Sequence, residues 1–235
     1  MTRVAWTVVS MLLFQTITLA LAVLPAYAVW SWPLTWLPTG ATLLRPVAVA
    51  LMLVPGYLVF AVTLSGVSAV GTWLLGWRTP PPGEWRIRDM EWPILNWSRY
   101  MMATHLVRVL VGTLMRTSPV WRWYLRWNGA SIGRGVYVGS VSISDHNMLE
   151  FGDGVIIGEG VNLSGHTVEG GVVKTGQVRL GRFVTVGLGS IVGIGVEAGE
   201  GSQIGALSVV PKHFKLEGGV TYAGAPVAPV HHDPR

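Results

Sequence analysis

The sequence predicts a membrane α-helical hairpin followed by an all-β domain of stacked, three-sided coils. The hairpin is indicated by the absence of any charged residue between Arg3 and Arg45, a stretch longer than the roughly 20 apolar residues that cross a bilayer. The coils are indicated by an aliphatic residue, commonly followed by glycine, that returns every six positions from Ile132 to Val210. Neither an α-helix nor an ordinary strand has that period, so the two halves of the chain have different architectures.

Two apolar segments fit within residues 1–78, which we predict to form a two-helix transmembrane hairpin. The first segment covers residues 4–30 and the second covers residues 46–77, with Pro33 and Gly40 in the connection between them. Proline and glycine interrupt helices, so the chain turns there. A cleaved signal peptide is the alternative, but the apolar run is long for one and begins with a single arginine.

The distribution of arginine predicts how the hairpin is oriented. Arg78, Arg86 and Arg88 follow the second segment, whereas Arg45 stands alone in the connection. The positive-inside rule then places both termini, and with them the β domain, in the cytoplasm of a multi-pass protein of the inner (cytoplasmic) membrane. The chain has no cysteine, which fits a compartment without disulfides and excludes a thiol nucleophile or a cysteine metal site.

Residues 79–128 are predicted to form interfacial amphipathic helices. His105 and Arg108 belong to the polar side of a helix over residues 94–115. The Trp- and Arg-rich segment 121–127 fits a membrane surface better than a nucleic acid. The net charge of +5 derives mostly from these arginines, so we expect anionic membrane lipids as partners and no nucleic acid.

The six-residue period predicts the shape of residues 129–227. A chain that bends after every short strand places one apolar side chain per face inside a triangular prism. Coils of roughly 18 residues then stack at the strand spacing of about 4.8 Å and bond to each other through their backbones. Residues 228–235 are expected to be a tail.

Two interruptions of the repeat are candidate functional positions, because irregular backbone on a rigid scaffold commonly carries function. Residues 144–150 hold one residue more than a single repeat, and residues 169–179 hold one residue fewer than two repeats. One coil plus the extra residue leads from Asn147 to His166. We therefore expect these two side chains on one face, about one strand spacing apart.

This polar cluster suggests acid–base chemistry centred on His166. Transfer of an acyl group from a thioester needs a base to take a proton from the attacking hydroxyl or amine, and histidine suits that task near neutral pH. We expect Asp145, Asn147 or Glu169 to orient the imidazole and a backbone N–H to bind the oxyanion. His146 is the alternative base.

The region from Asp145 to Pro226 resembles a known family. It is similar to the membrane-associated hexapeptide domains at the C-terminal end of polylysine-type peptide synthetases, and more broadly to the hexapeptide-repeat acyltransferases. The resemblance implies a left-handed parallel β-helix. Relatives usually have an acidic and a basic residue where Gly170 and Gly171 stand in this sequence. The matching segments are Phe151-Gly152-Asp153, Gly165-His166-Thr167-Val168-Glu169, Lys174, Val178-Arg179-Leu180-Gly181 and Gly205-Ala206-Leu207-Ser208-Val209-Val210-Pro211-Lys212.

Residues 220–226 resemble the closing segment of hexapeptide acetyltransferases. The resemblance implies that the donor is acetyl-CoA or another acyl-CoA and that no metal is needed. It also implies a homotrimer with sites between adjacent prisms. The residues that this resemblance assigns to the coenzyme A site are Gly205, Ala206, Ser208, Lys212, Gly224 and Pro226.

The sequence thus predicts a membrane-anchored acyltransferase that moves an acetyl or other acyl group to a hydroxyl or amine of an amphiphilic or lipid-linked acceptor. A second hypothesis is amide-bond formation from an aminoacyl thioester held by a carrier protein. A third is a non-catalytic assembly module, because fold does not fix function. A metal-dependent carbonic anhydrase is disfavoured because His146 and His166 lack a close histidine pair.

Overall fold

The computed structural model describes residues 2–230, with helices in the first half of the chain and a parallel β-helix in the second. A short π-helical segment, Arg108–Gly112, joins two of the helices. The helices are α1 (Arg3–Trp36), α2 (Leu44–Leu51), α3 (Leu53–Leu74), α4 (Trp92–Val107), α5 (Thr113–Met115) and α6 (Pro119–Trp127).

Helix α1 and the combined α2–α3 segment are each long and apolar enough to cross a membrane. Their mean hydropathies are 2.1 and 2.3, and only 17% of the most apolar window of each is buried. The two helices pack through small residues, since Ala22 of α1 and Ala61 of α3 are fully buried. Gly71 has the same effect: a Cβ there would lie 2.6 Å from the ring of Phe14.

A Schellman motif ends α3 and directs the chain toward the β-helix. Gly76 has a left-handed φ of 64°, which glycine adopts without steric cost. The N–H of Trp77 donates to the carbonyl of Thr72 at 2.9 Å, and the N–H of Gly76 donates to Trp73 at 3.1 Å. This turn carries Thr79, buried and two residues beyond Trp77, to the candidate site.

The β-helix has three faces, and each regular coil adds one strand to each face. The first face consists of β2 (Ser131–Ile132), β4 (Leu149–Phe151), β9 (Val178–Leu180), β12 (Glu197–Ala198) and β15 (Lys215–Leu216). The second consists of β3 (Tyr137–Val138), β5 (Ile156–Ile157), β10 (Thr185–Val186), β13 (Gln203–Ile204), β16 (Thr221–Ala223) and the antiparallel β17 (Ala228–Pro229). The third consists of β6 (Asn162–Leu163), β11 (Ile191–Val192) and β14 (Val209–Val210).

Strand pairing confirms both interruptions of the repeat. In a regular coil Thr185 pairs with Gln203, 18 residues later. Across the first interruption Tyr137 pairs with Ile156, 19 residues later. Across the second, Ile156 pairs with Thr185, 29 residues later. The chain therefore gains one residue at the first interruption, as the repeat predicts, and eleven at the second, which is the number of residues from 169 to 179.

The insertion contains an ordered β-hairpin over residues 166–175 instead of the irregular loop that we expected. We call this hairpin the arm, comprising β7 (His166–Glu169) and β8 (Val172–Thr175). Gly170 and Gly171 have φ values of 55° and 74°, the left-handed pair that a type I′ turn requires. Strand β1 (Gly83–Arg86), which the sequence did not predict, pairs antiparallel with β8 and ties the arm to the segment after α3.

The interior of the β-helix is aliphatic, as the six-residue pattern predicts. One side chain from each strand points inward, and Val138, Ile157 and Leu163 have no exposed surface. Each burial of this kind contributes roughly 1.5–3 kcal/mol relative to an exposed side chain. The last coil is closed by Tyr222, which is 4% exposed.

The structure corrects two of the expected domain assignments. Residues 79–128 do not all face a membrane: Trp121 is buried, with its indole N–H donating to the Ser140 carbonyl at 3.1 Å, so α6 packs on the first coil. Only part of the segment 121–127 is open, as at Trp123, which is 46% exposed. The expected tail begins with strand β17, and its residues 231–235 lie outside the described residues.

Candidate active site

The candidate site is built around Asp145, at the first interruption of the repeat. Its φ and ψ are 57° and 48°, the left-handed region that aspartate tolerates better than most residues. A 3₁₀ turn, His146–Met148, follows, and the Met148 N–H donates to the Asp145 carbonyl at 2.7 Å. The side chain of Asp145 has no exposed surface, so its charge depends on hydrogen bonds from the protein.

One carboxylate oxygen of Asp145 faces the second interruption. Oδ2 accepts hydrogen bonds from His166 Nδ1 at 2.5 Å, from Ser164 Oγ at 2.9 Å and from the Gly165 N–H at 3.1 Å. Only glycine fits at position 165, because a Cβ there would lie 2.5 Å from the Cβ of Met148. The close approach of the two coils is therefore encoded by the Ser-Gly-His sequence.

The other oxygen faces residues from outside the β-helix. Oδ1 accepts from the hydroxyl of Thr79 at 2.7 Å and from the indole N–H of Trp97 at 3.1 Å. Burial disfavours the charged carboxylate, but the hydrogen bonds from His166, Thr79 and Ser164 outweigh it and hold the pKa of Asp145 below its ordinary value. Asp145 is thus a carboxylate in the folded protein.

His166 is the first residue of the arm, and the Asp145 carboxylate fixes its tautomer. A carboxylate only accepts hydrogen bonds, so the shared hydrogen sits on Nδ1. The neutral ring then has its lone pair on Nε2, which has no hydrogen-bond partner within residues 2–230. The Trp97 ring meets the imidazole edge-on, with centroids 4.9 Å apart and planes at 70°. The His166 side chain is 19% exposed and can take a proton at Nε2.

Three residues of this site were not among our candidates. Ser164 lies two positions before His166 and was not assigned a role. Thr79 and Trp97 lie in the segment that we assigned to the membrane interface, where no repeat gives their register relative to the coils. Their contacts arise because the Schellman turn places Thr79 on Asp145 and because α4 packs across the interruption.

Asn147 does not contact His166 as we expected. Its amide group bonds both backbone groups of Thr79, donating to the carbonyl at 2.9 Å and accepting from the N–H at 3.2 Å. The left-handed conformation of Asp145 rotates the chain, so the carboxylate of Asp145 faces His166 in place of the amide of Asn147. Asn147 positions Thr79, and Thr79 in turn binds Asp145.

Glu169 also lies away from the position that we expected. It is three residues from His166 on the same strand, and successive side chains of a strand point to opposite faces. Its carboxylate forms an ion pair with Lys212. Glu169 therefore does not orient the imidazole, and Lys212, which we expected to meet a phosphate, is paired with the tip of the arm.

The other residues assigned to coenzyme A gather at one corner of the last coils. The Ser208 hydroxyl accepts from the Gly224 N–H at 3.2 Å and donates to the Ala206 carbonyl at 3.4 Å. Ser208 is 1% exposed, so its hydroxyl holds the corner together and does not face outward. Ala206, Gly224 and Pro226 are exposed there, and Gly205 is half-buried beside them.

His146 is a core residue. It is 1% exposed, Nε2 donates to the Ile143 carbonyl at 3.2 Å, and Nδ1 accepts from the Tyr100 hydroxyl at 3.0 Å. Burial lowers the pKa of His146 to about 4. With both nitrogens bonded to protein groups and almost no exposed surface, His146 does not suit the role of general base.

We predict that His146 makes the folded protein sensitive to acid. Because its pKa is about 4 when folded and about 6.5 in an unfolded chain, only the unfolded state binds a proton between those values. Its stabilising contribution is complete above about pH 6.5 and is lost as the pH falls toward 4, on the order of 3 kcal/mol in all. Thermal unfolding of the detergent-purified protein between pH 4 and pH 8 measures this loss.

The matched variants for that measurement are His146→Gln and His105→Gln. We expect His146→Gln to lower Tm at pH 8 and to flatten its dependence on pH, because glutamine does not titrate. His105 is exposed, so His105→Gln controls for the loss of a histidine at the surface. An equal pH dependence in both variants would show that another group is responsible.

Within the described part of the chain, residues 2–230, no group of three or more His, Cys, Asp or Glu side chains is placed to hold a metal ion. His146 and His166 do not converge on a common point, since Nδ1 of one is bonded to Tyr100 and Nδ1 of the other to Asp145. The described residues therefore provide no constellation of the kind that a three-histidine metal site needs.

The fold and the site together define a class: a hexapeptide-repeat β-helix protein with a buried aspartate bonded to a partly exposed histidine at the interruptions of its repeat. No protein-family model matches the chain. The chain is similar to a Delta-poly-L-ornithine synthetase of Acinetobacter baumannii (strain AB307-0294), with 26% identity over 118 residues, which are 50% of this chain and 9% of the synthetase.

Solved structures of hexapeptide-repeat acetyltransferases are also similar to the chain. One from Vibrio cholerae, complexed with acetyl coenzyme A, has 18% identity and a TM-score of 0.39, and the match covers 44% of this chain and 60% of that one. A galactoside acetyltransferase in complex with coenzyme A has 22% identity and a TM-score of 0.40, covering 48% of this chain and 69% of that one. The chain thus spans under a tenth of the synthetase and about three fifths of the Vibrio structure.

Proposed function

We propose that this protein is a membrane-anchored acyltransferase that moves an acyl group, with acetyl as our first choice, from coenzyme A to a hydroxyl or amine. The observation that carries the proposal is the pair formed by buried, ionised Asp145 and His166, whose Nε2 is free to accept a proton. A carboxylate behind an imidazole fixes the tautomer of a general base and stabilises its protonated form.

The proposed reaction uses His166 as the base. Nε2 takes the proton of the acceptor O–H or N–H while the acceptor atom attacks the thioester carbonyl, and Asp145 stabilises the resulting imidazolium. Collapse of the tetrahedral intermediate breaks the carbon–sulfur bond. The thiolate leaves with the proton returned from His166, so no external oxidant, reductant or metal enters the balance.

The proposal extends to the assembly and its location. We assign left-handed coils, a homotrimer with donor sites between adjacent prisms, and an inner-membrane anchor that leaves the β-helix in the cytoplasm. Support for the donor site comes from the resemblance of residues 220–226 and from the exposed corner at Ala206 and Gly224. Support for an amphiphilic or lipid-linked acceptor comes from Thr79, in the segment directly after α3, and from Trp97 of α4, which both bond to Asp145.

A second candidate function is amide-bond formation from a carrier-bound aminoacyl thioester. The similarity to a poly-L-ornithine synthetase, whose name describes an amide polymer, favours it. The same aspartate–histidine pair would then deprotonate an attacking amine. The two candidates differ in the donor, so an experiment that varies the donor distinguishes them.

The test is thiol release by the full chain purified in detergent. Because the protein has no cysteine, a thiol reagent reports only the released coenzyme A or carrier thiol. We expect acetyl-CoA to be turned over faster when an amphiphilic alcohol or amine is present, and mass spectrometry to show the acylated acceptor. The variant Asp153→Asn serves as a control, because this exposed carboxylate lies away from the pair and bonds the Arg134 N–H.

The donors separate the hypotheses. Turnover only with an aminoacyl carrier thioester would replace the first proposal with the second. Release of thiol from none of the donors, by protein with a cooperative thermal transition, would contradict both and favour an assembly module. Removal of residues 1–128 is not a suitable test of the anchor, because it also removes Thr79 and Trp97 from the site.

A further inference from the structure

A groove runs along α3 from its apolar middle to the first coil of the β-helix. It consists of two adjoining cavities of about 230 and 350 Å³, which share Ala69, Trp73 and Trp127. We call it the α3 groove. The upper part, beside the apolar middle of α3, is also lined by Gly66 and Val70. The lower part, beside the end of α3 and the first coil, is also lined by Thr72, Gly76, Trp77, Arg78, Tyr100, Asn128, Gly129 and Asn147.

Small residues create the groove, and tryptophans wall it. A Cβ on Gly66 would meet no heavy atom within 4 Å, so the helix surface there is open. Trp73 and Trp127 are 76% and 48% exposed, although each presents a large apolar ring. Tryptophan prefers the headgroup level of a bilayer, so these rings fit the depth at which an acyl chain meets its polar head.

The length of the groove matches one leaflet of a membrane. Ten residues separate Gly66 from Gly76, which corresponds to about 15 Å of α-helix. The hydrocarbon core of a bilayer is about 30 Å thick, so one leaflet occupies about half of that. A chain that begins at the level of Gly76 therefore ends near the middle of the bilayer beside Gly66.

The lower end of the groove carries an uncompensated positive charge. Arg78 is exposed and forms no ion pair with any residue between 2 and 230, and neither cavity is lined by an acidic side chain. The amides of Asn128 and Asn147 are already bonded to the Tyr124 carbonyl and to Thr79. The unpaired charge at this end is therefore that of the Arg78 guanidinium, a group that forms strong hydrogen bonds with phosphate.

We propose that the α3 groove binds one acyl chain of an anionic membrane phospholipid, with the lipid phosphate at Arg78. From Val70 to Arg78 the lining of the groove changes from apolar to positively charged, as such a lipid changes from acyl chain to a polar, phosphate-containing head. This site is distinct from the proposed catalytic pair, because neither Asp145 nor His166 lines it; Asn147, which positions Thr79, lines its lower end. It gives the chain a defined lipid ligand in addition to general contact with the bilayer.

Native mass spectrometry of the full chain in detergent tests the site, with palmitoyl-oleoyl phosphatidylglycerol and the matching phosphatidylcholine as probes. We expect one phosphatidylglycerol to be retained per chain, about fivefold better than phosphatidylcholine, which is the factor one basic residue contributes near anionic lipid. Arg78→Gln should abolish the preference. Arg86→Gln, at an exposed juxtamembrane arginine outside the groove, should keep it.

A second pair of variants tests the acyl-chain part of the groove. Gly66→Leu adds four carbon atoms to the open space and should reduce retention of both lipids. Val62→Phe adds the same number on α3 at a position that is 42% exposed and outside the groove, and should change little. Equal retention in the two variants overturns the proposal. Conversion of an oligomer to monomer by Gly66→Leu also overturns it, because a second copy of the chain would then be the occupant.

Discussion

We expect replacement of His166 by glutamine to remove most of the proposed transfer activity and to leave the fold intact. We expect the rate with saturating donor to fall by about 10² to 10⁴, the contribution of a positioned general base. The flexible glutamine side chain retains an NH₂ group that can donate to the Asp145 carboxylate in place of the Nδ1–H. The buried carboxylate therefore keeps a donor, and the variant loses the base without exposing a charge.

The measurement pairs initial rates of thiol release with the thermal midpoint of the same preparations. His105→Gln is the matched control, since His105 is exposed and bonded to Arg108, outside the site. We expect that control to retain its rate. Near-full activity of His166→Gln would contradict the assignment of the base, and a large parallel drop in its Tm would attribute the loss to folding.

The fold of the β domain follows from the sequence because its period is encoded in every coil. Each repeat places an aliphatic residue inside, as at Val186 and Ile204, and small residues occupy the corners where coils stack closely. A Cβ on Gly187 would lie 2.5 Å from the backbone nitrogen of Ala206, so glycine is required there. Many repetitions of one local rule leave little ambiguity, and the two interruptions are visible as lapses in it.

The site was only partly predictable for a related reason. The repeat locates Asp145 and His166 one coil and a few residues apart, and their suitability for acid–base chemistry makes them candidates. It does not determine which residue of the first interruption faces His166, because that depends on the left-handed φ of 57° at Asp145. Of the three residues that we expected to orient the imidazole, Asp145 contacts it, two positions before Asn147, which the register of the repeat aligned with His166.

The six-residue pattern does not predict the contacts between the two halves of the chain. Trp97 and Thr79 bond to Asp145 from a segment that has no periodic pattern. Trp85 lies in strand β1, which forms by pairing with the free edge of the arm. Such contacts depend on how α4 and the arm pack in three dimensions. Aromatic residues near a membrane segment suggest an interface from sequence, and only the structure shows that Trp97 turns toward the carboxylate.

Replacement of Asp145 by asparagine is expected to cost both activity and stability. The carboxylate accepts from obligatory donors at both oxygens, the indole N–H of Trp97 at Oδ1 and the backbone N–H of Gly165 at Oδ2. An asparagine has one oxygen and one NH₂ group, so in either orientation a buried N–H faces another donor. A buried unsatisfied group costs about 1–3 kcal/mol, and we expect the Tm to fall accordingly.

The same variant loses the electrostatic support of the base. Without the carboxylate the imidazolium of His166 is not stabilised and its Nδ1–H tautomer is not enforced, so we expect a rate loss on the order of 10² or more. Asp153→Asn should retain both rate and Tm, since that carboxylate is exposed. Full activity of Asp145→Asn would show that the contact between Asp145 and His166 is structural and has no part in catalysis.

Acid gives an independent test of the Asp145 charge. Because hydrogen bonds depress its folded pKa below the ordinary value, its stabilising contribution is complete above about pH 4 and is lost as the pH falls through the folded pKa. Asparagine does not titrate, so Asp145→Asn should lack this step while retaining the one from His146 at higher pH. Two separate acid steps in the native chain, each removed by its own variant, would show that Asp145 is ionised and His146 neutral in the folded protein.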